Sequence, residues 1–380
     1  MPNDRESRRI AQEVVVEAIT THTVWLHRAS SAQVNRMVAM VDDLSASLAS
    51  KLGERLDNLT PAELAAFSRG RYTTDRLKGL RNLIDKWAES LGSALNAENA
   101  KSLEELAGYE AGFARSLVAD AVTGAVAAAP AAAAVYESAM QQPVLGQMVE
   151  DMFTEVPRRT RSIVYSQIRQ GISNGQTNQQ IIRALRGTKA LKYKDGALNW
   201  ARSEIDNLVR TSRGHVSNVA YESTYEALGV EEVVDVATID FRVTKYCASI
   251  DGRRHKVGTA HPRPPYHYRC RTVQAPSFGA NIMGQRPYVK AFKPVSQIPK
   301  DQRPDDMIGQ VSANTKWPQW FARQPASLQR EWLGPTRYQL YKKGGYKIER
   351  FSDPLGGELT IAELRARDRE TFERLFAEAA

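Results

Sequence analysis

The sequence predicts an α+β protein: a helical N-terminal region, then a long helix with a small antiparallel sheet, then a proline-rich arm and a short helical tail. Three observations carry this. Apolar residues recur at three- and four-residue spacing over residues 5–115 and again over 148–228. β-Branched and aromatic residues take over at Val230. Prolines then replace periodicity between residues 281 and 316.

In the first helical stretch, Val14, Val15, Ala18 and Ile19, then Val34, Met37, Val38 and Val41, fall on one helix face. Thr60 before Pro61 reads as an N-cap followed by proline at the first helical position. Thr73-Thr74-Asp75 starts another helix, which carries Leu77, Leu80, Leu83, Ile84 and Trp87. The uncharged run from Ala121 to Tyr136 is mostly alanine and is interrupted by Gly124 and Pro130. It is shorter than the ~20 residues a membrane span needs, so two helical pieces with a break near Pro130 are expected, and no membrane partner. Residues 148–186 form two helices parted by Gly171 and Gly175, the second capped by Thr177 and stopped by Gly187. A long helix is expected from Ala197 to Leu228.

Val233, Val234, Val236, Ile239, Phe241 and Val243 have strand chemistry. Asp251-Gly252 signals a hairpin turn between Ala248-Ser249-Ile250 and Arg253-Arg254-His255-Lys256-Val257. Pro262, Pro264 and Pro265 enforce an extended loop, and Tyr268 to Val273 reads as the closing strand. Pro287, Pro294, Pro299 and Pro304 mark residues 281–316 as a linker or arm crossing another surface. The tail gathers Trp317, Trp320 and Trp332 with tyrosines and phenylalanines, and ends in a helix from Ile361 to Ala379 boxed by Thr360 and Glu363. Four segments follow: a docking or assembly region at 1–145, a mixed module at 146–280, the arm at 281–316 and the tail at 317–380.

Composition narrows the class. With 380 residues, two or three folding units are expected at about 150 residues each. Hydrophobic residues at 42% and charged residues at 25% fit a globular chain and exclude a fibrous or largely disordered one. Two cysteines exclude a disulfide framework, and the charged N-terminus lacks a secretory pattern, so a reducing intracellular site of synthesis is expected. The net charge of +9 is uneven: residues 1–150 carry −4, residues 151–300 carry +12 and residues 301–380 carry +1. A block with 24 bases and 12 acids attracts phosphate or an acidic surface, or is a solvated face.

Chemistry-bearing residues cluster in that block. Cys247, His255, His261, His267 and Cys270 hold five of the chain's eight cysteines and histidines within 24 residues. His267-x-x-Cys270 places two donors on one turn, and Cys247 can return to meet them. A structural zinc site from Cys247, His255 or His261, His267 and Cys270 is one reading. A Cys247–Cys270 disulfide in an oxidising medium is another, and unligated thiols with hydrogen-bonded histidines a third. Asp240, Asp251, His255 and His267 offer a metal-assisted hydrolytic site if they converge. Asp251 is otherwise explained by its turn, and Asp240 by Arg242 or a strand end. No Walker loop, G-x-S-x-G or H-E-x-x-H is present, and no catalytic residue is expected. Arg253, Arg254, Lys256, Arg263, Arg269 and Arg271 lie beside Tyr266, His267 and Tyr268, which suits sequence-independent contact with DNA phosphates and bases. The alternative is that the arginines pair with acids and the tyrosines fill a core.

Two series of residues resemble a known family. The first is Asp240-x-Arg242, Cys247, Asp251-Gly252, then Pro265-x-His267-x-x-Cys270-Arg271. It is similar to the D-x-R, C, D-G and P-x-H-x-x-C-R pattern of the phage Mu F-like minor head domain. Gly171 to Thr177 before Ile181 and Leu185, and Val209-Arg210-Thr211 before Asn218 and Ala220, resemble that family's approach to the motif. The second series, Trp320 to Gln324-Pro325, Leu333-Gly334 to Arg337, and Gly356-Gly357-Glu358-Leu359-Thr360, is similar to the W-x-x-x-Q-P, L-G-x-x-R and G-R-E-L-T run of such head proteins. The chain departs from the pattern at Thr244 and Thr272, where many members carry further cysteines, and at Gly357, usually arginine. The likeness spans about residues 150–380, so 146–280 becomes the minor head domain and 317–380 its tail motif.

The resemblance implies a virion protein of a tailed phage or prophage, present in few copies at the portal vertex or capsid interior and in the host cytoplasm during assembly. Its implied partners are the portal protein, the major capsid or scaffolding proteins, and double-stranded DNA met without sequence preference during packaging or ejection. Zinc is the one candidate cofactor. The alternatives are an ejected internal protein delivered with the genome, and a metal-dependent nuclease or effector.

Overall fold

The computed structural model describes residues 5–121, 128–278 and 285–376, with the backbone alone for 5–14, 120 and 121. Helices dominate: α1 (Arg5–Asp57), α2 (Pro61–Ser68), α3 (Asp75–Ala121), α4 (Ala132–Gln141), α5 (Val149–Ser173), α6 (Asn178–Arg186) and α7 (Asn199–Ala227) precede the first strand. Their starts follow the predicted caps. Thr60 accepts from the Glu63 N–H while Glu63 reaches back to Thr60, and Thr177 with Gln180 repeats the device at α6. The Thr74 hydroxyl takes the Leu77 N–H at 3.3 Å to open α3. Residues 122–127 lie outside the described residues, so the predicted break in the alanine-rich run is seen only as α4 beginning at Ala132.

The chain divides into two compact units, neither continuous in sequence. One takes residues 27–106 and 136–213. It is helical, with α5 packed on α2 and α6, and it buries Leu52, Leu56, Phe67, Phe153, Val164, Ile168 and Ile181. The other takes residues 1–26, 107–135 and 214–380. The predicted boundaries at 145, 280 and 316 therefore do not coincide with the units, because long helices contribute to both.

The second unit holds the strands: β1 (Glu232–Val236), β2 (Ile239–Asp240), β3 (Arg254–Lys256), β4 (Val273–Ser277), β5 (Gln285–Val289) and β6 (Ile308–Ser312). One sheet has the order β3-β1-β4 and is antiparallel, with Val233 opposite His255 and Asp235 opposite Gln274. Its Val233, Val234, Val236, Val273 and Ala275 pack against Val15, Ile19, Leu117, Tyr221 and Tyr225. The other sheet is mixed, not antiparallel: β2 runs parallel to β5, and β5 antiparallel to β6. The proline-rich segment thus folds back as two strands where an extended linker or arm crossing another surface was expected. Its prolines avoid the ladder interior by clustering between the strands, apart from Pro287.

Between β2 and β3 the predicted hairpin is absent. Lys245–Ile250 is a helix, α8, capped by the Thr244 side chain, and Asp251-Gly252 ends it. Gly252 is still obligatory: its φ is +84°, and a Cβ there would meet the Lys316 chain at 2.7 Å. The closing strand begins at Val273, not Tyr268, because residues 267–270 form a turn with Arg269 at φ +58°.

The tail comprises α9 (Trp317–Ala322), α10 (Ala326–Leu333), α11 (Pro335–Lys343), α12 (Ile361–Arg367) and α13 (Arg369–Phe376). The predicted last helix is broken at Asp368, whose carboxylate accepts the Thr371 N–H at 3.2 Å and so caps α13. Trp317, Trp320, Phe321, Leu333 and Phe351 share one core with Phe241, Tyr246 and Ile250. The tail is therefore one body with the strand region. No described helix is long and apolar enough to cross a membrane.

Candidate metal centre and the clasps around it

Cys247 lies in the first turn of α8, buried, with its N–H donated to the Thr244 hydroxyl at 3.3 Å. His267 and Cys270 come from the turn after the Pro264–Pro265 peptide, which is cis, and the Cys270 N–H donates to the His267 carbonyl at 3.1 Å. These two segments meet. Cys247 Sγ stands 3.3 Å from His267 Nε2 and 3.7 Å from Cys270 Sγ, and both thiols are free. His267 Nδ1 lies 2.8 Å from the Tyr268 carbonyl, so Nδ1 carries a proton and Nε2 is the ring atom that faces the sulfurs.

The spacing is that of a coordination sphere. Tetrahedral zinc, with Zn–S at about 2.3 Å and Zn–N at about 2.0–2.1 Å, sets sulfur–sulfur at about 3.8 Å and sulfur–nitrogen at about 3.6 Å. Cys247, His267 and Cys270 have donor atoms all within 4.8 Å of one another and could hold a metal ion. The electrostatics favour one ready thiolate. Burial opposes ionisation of Cys270, but hydrogen bonds from the Cys247 thiol and His267, with the imidazolium charge, hold it well below the ordinary thiol range. The Cys270 contact, together with burial, pushes the Cys247 thiol up. Burial lowers His267, but its hydrogen bond to Cys270, the charge of that sulfur and the bond to the Tyr268 carbonyl together outweigh it, so its pKa is raised.

His255 is not part of this cluster. It sits on β3 with Nε2 2.8 Å from buried Asp235, and its ring stacks on His261 at 4.6 Å. Asp235 also accepts from the Tyr266 hydroxyl at 2.9 Å and the Gln274 amide at 3.1 Å. Burial raises the Asp235 pKa against these bonds. The expected four-donor set is thus reduced to three among the described residues. The Thr272 side chain acts against the upward push on Cys247, favouring the ionised sulfur.

Two buried ion pairs clamp the centre. Asp240, at the end of β2, takes the Arg271 guanidinium on both oxygens, at 2.5 and 2.9 Å, and accepts the Arg242 N–H at 2.9 Å. Arg271 adjoins Cys270, so this fork fixes the thiol's position. The Arg242 side chain is exposed, and the partner of Asp240 is 31 residues away instead. Asp251 is the second clamp. Its carboxylate accepts from the Ala237 N–H at 2.8 Å, the Trp317 N–H at 2.7 Å and Arg286 at 3.1 Å through two nitrogens. It joins the first sheet, the second sheet and the tail, a larger role than ending a turn. Arg286 was invisible in the sequence; it is one cation in a proline-containing strand, and only its 4% exposure marks it.

Asp240, Asp251, His255 and His267 consequently do not gather into a hydrolytic site: each is taken by a different partner. The basic strip is also partly neutralised. Arg271 is held by Asp240, Arg263 pairs with Glu222 at 2.5 Å, and Arg254 lies 3.4 Å from Glu232. Arg253, Lys256 and Arg269 are exposed.

The second motif series closes on the same centre. Arg337 donates to the Leu359 carbonyl at 2.8 Å and pairs with Glu358 at 3.0 Å. Glu358 in turn meets Lys245 of α8 at 3.0 Å, and Lys245 lies over the Trp332 ring at 4.8 Å. No family model, curated protein or solved structure matches the chain.

Proposed function

We propose that this chain is a minor head protein of a tailed phage: a non-enzymatic virion component at the portal vertex or capsid interior that meets duplex DNA without reading its sequence. The observation that carries the reading is convergence. The residues of both motif series, spread from Asp240 to Thr360, fold into one body. Asp240 grips Arg271, Asp251 grips Trp317 and Arg286, and Glu358 joins Arg337 to Lys245. Each link starts from a position that the resemblance singles out. Such positions, used as clamps, suit a scaffold that must keep its shape inside a head.

Zinc is the metal this donor set fits best, since two thiolates and one imidazole are soft and nitrogenous ligands at tetrahedral spacing. When bound, it supplies a cross-link between α8 and the 267–270 turn. Deleting the coding sequence should cut the yield of DNA-filled heads, and the intact chain supplied in trans should restore it. An undiminished yield overturns the assignment.

A further inference from the structure

Half of the basic strip at 253–271 is paired with acids, and the other unit holds a more uniform positive segment. From Val156 to Lys194 there is no acidic residue and there are nine bases: Arg158, Arg159, Arg161, Arg169, Arg183, Arg186, Lys189, Lys192 and Lys194. The last five lead into and form the loop between α6 and α7. Lys189, Lys192 and Lys194 are exposed and have no ion-pair partner among the described residues. Leu191, between them, is 58% exposed.

This loop is built, not slack. Thr188 donates its N–H to Asp195 at 2.8 Å and its hydroxyl at 3.0 Å, closing the loop at its base. Lys192 and Tyr193 both take left-handed backbone, at φ +51° and +60°, and the Tyr193 N–H returns to the Thr188 carbonyl at 2.8 Å. Arg202, anchored on Asp42, donates to the Lys192 and Tyr193 carbonyls at 3.2 and 3.0 Å. Arg186 covers the Tyr193 ring at 4.9 Å. The one acid in the loop is consumed by the staple, and the lysines are left pointing at solvent. A rigid loop loses little entropy on binding, so a preformed row of unpaired cations favours a polyanion.

We infer that the loop of residues 188–195 is a phosphate-contacting surface for duplex DNA, with Lys189, Lys192 and Lys194 as the contacts. The choice of DNA among polyanions rests on the head-protein reading; the surface itself does not. The test uses the full chain and a labelled 30-base-pair duplex, followed by fluorescence anisotropy across a salt series. The variant is Lys189→Gln, Lys192→Asn, Lys194→Gln, with asparagine at 192 because it tolerates left-handed backbone. At 0.1 M salt each lost contact removes up to about eightfold in affinity, so a loss of at least tenfold is expected for the triple variant, with the log–log salt slope shallower by about 2–3. The companion variant Lys86→Gln, Lys101→Gln, at exposed lysines elsewhere in the same unit, should bind within threefold of wild type. Wild-type affinity in the loop variant overturns the inference. So does loss of binding to phosphatidylglycerol vesicles with DNA affinity unchanged, which assigns the loop to a membrane surface. Failure of the wild-type chain to bind DNA also overturns it, while head yield on deletion, the test of the head assignment, is read separately.

Discussion

Asp251 is the residue whose removal should be felt most widely. Asp251→Ala deletes the acceptor for the Ala237 N–H, the Trp317 N–H and two Arg286 nitrogens. The Arg286 side chain is 5% exposed, so the variant strands a buried guanidinium as well as two backbone donors. Removing one partner of a buried ion pair costs about 3–5 kcal/mol, because the remaining charge has no water to return to. For a unit of this size each kcal/mol moves the midpoint by about 2–4 °C, which places the expected fall at about 6–20 °C. Urea unfolding followed by tryptophan fluorescence reads it directly, since Trp317, Trp320 and Trp332 lie in the core that Asp251 ties down. Replacing both partners with apolar residues, Asp251→Leu with Arg286→Met, removes the stranded charge and should recover at least half of the loss. A change below about 1 kcal/mol in Asp251→Ala would refute the clamp argument.

Three further outcomes are expected. Elemental analysis of the purified chain should give one zinc per chain, chelation should lower the midpoint of tryptophan-detected unfolding, and Cys270→Ser should show neither metal nor a chelator effect. Thr272→Cys places a thiol two residues after Cys270, at a side chain that already influences Cys247, so zinc affinity measured by competition should rise by about tenfold or more as a fourth ligand is added; unchanged affinity would show that position 272 does not reach the metal. Glu63 is held down from 4.5 to about 2 by the Thr60 N–H, the Thr74 hydroxyl and Arg76. Its folded pKa is depressed, so its contribution is complete above pH 4.5 and disappears as pH falls towards 2; Glu63→Gln should flatten acid unfolding across that window, and an unaltered acid transition would contradict the assignment.

The helical part was legible because its signals are local. Thr60, Thr177 and Thr360 each form the capping box that their sequence spacing announces, and the apolar stripe of α7 continues through Ile205, Leu208, Val209 and Val216 as buried residues. Around Cys247 the local signals conflicted. Six residues of α8 are too few to show a 3.6 period, and Asp251-Gly252 looks like a hairpin turn, although Thr244 held the cap signal. The Cys247, His267 and Cys270 donors were found as a group, but His255 was claimed by Asp235 through strand register, which spacing does not reveal. The long-range pairs were out of reach for the same reason. Arg271 finds Asp240 across 31 residues, and Arg286 finds Asp251 across 35, only because the second sheet, α8 and the tail pack on one core.

The most direct test of the account is quantitative mass spectrometry of purified phage particles, full and after release of their DNA. The chain should be found in full particles at a few copies per head and retained in emptied ones. Its absence from full particles would contradict the assignment, and its loss on emptying would replace a fixed head component with an ejected one.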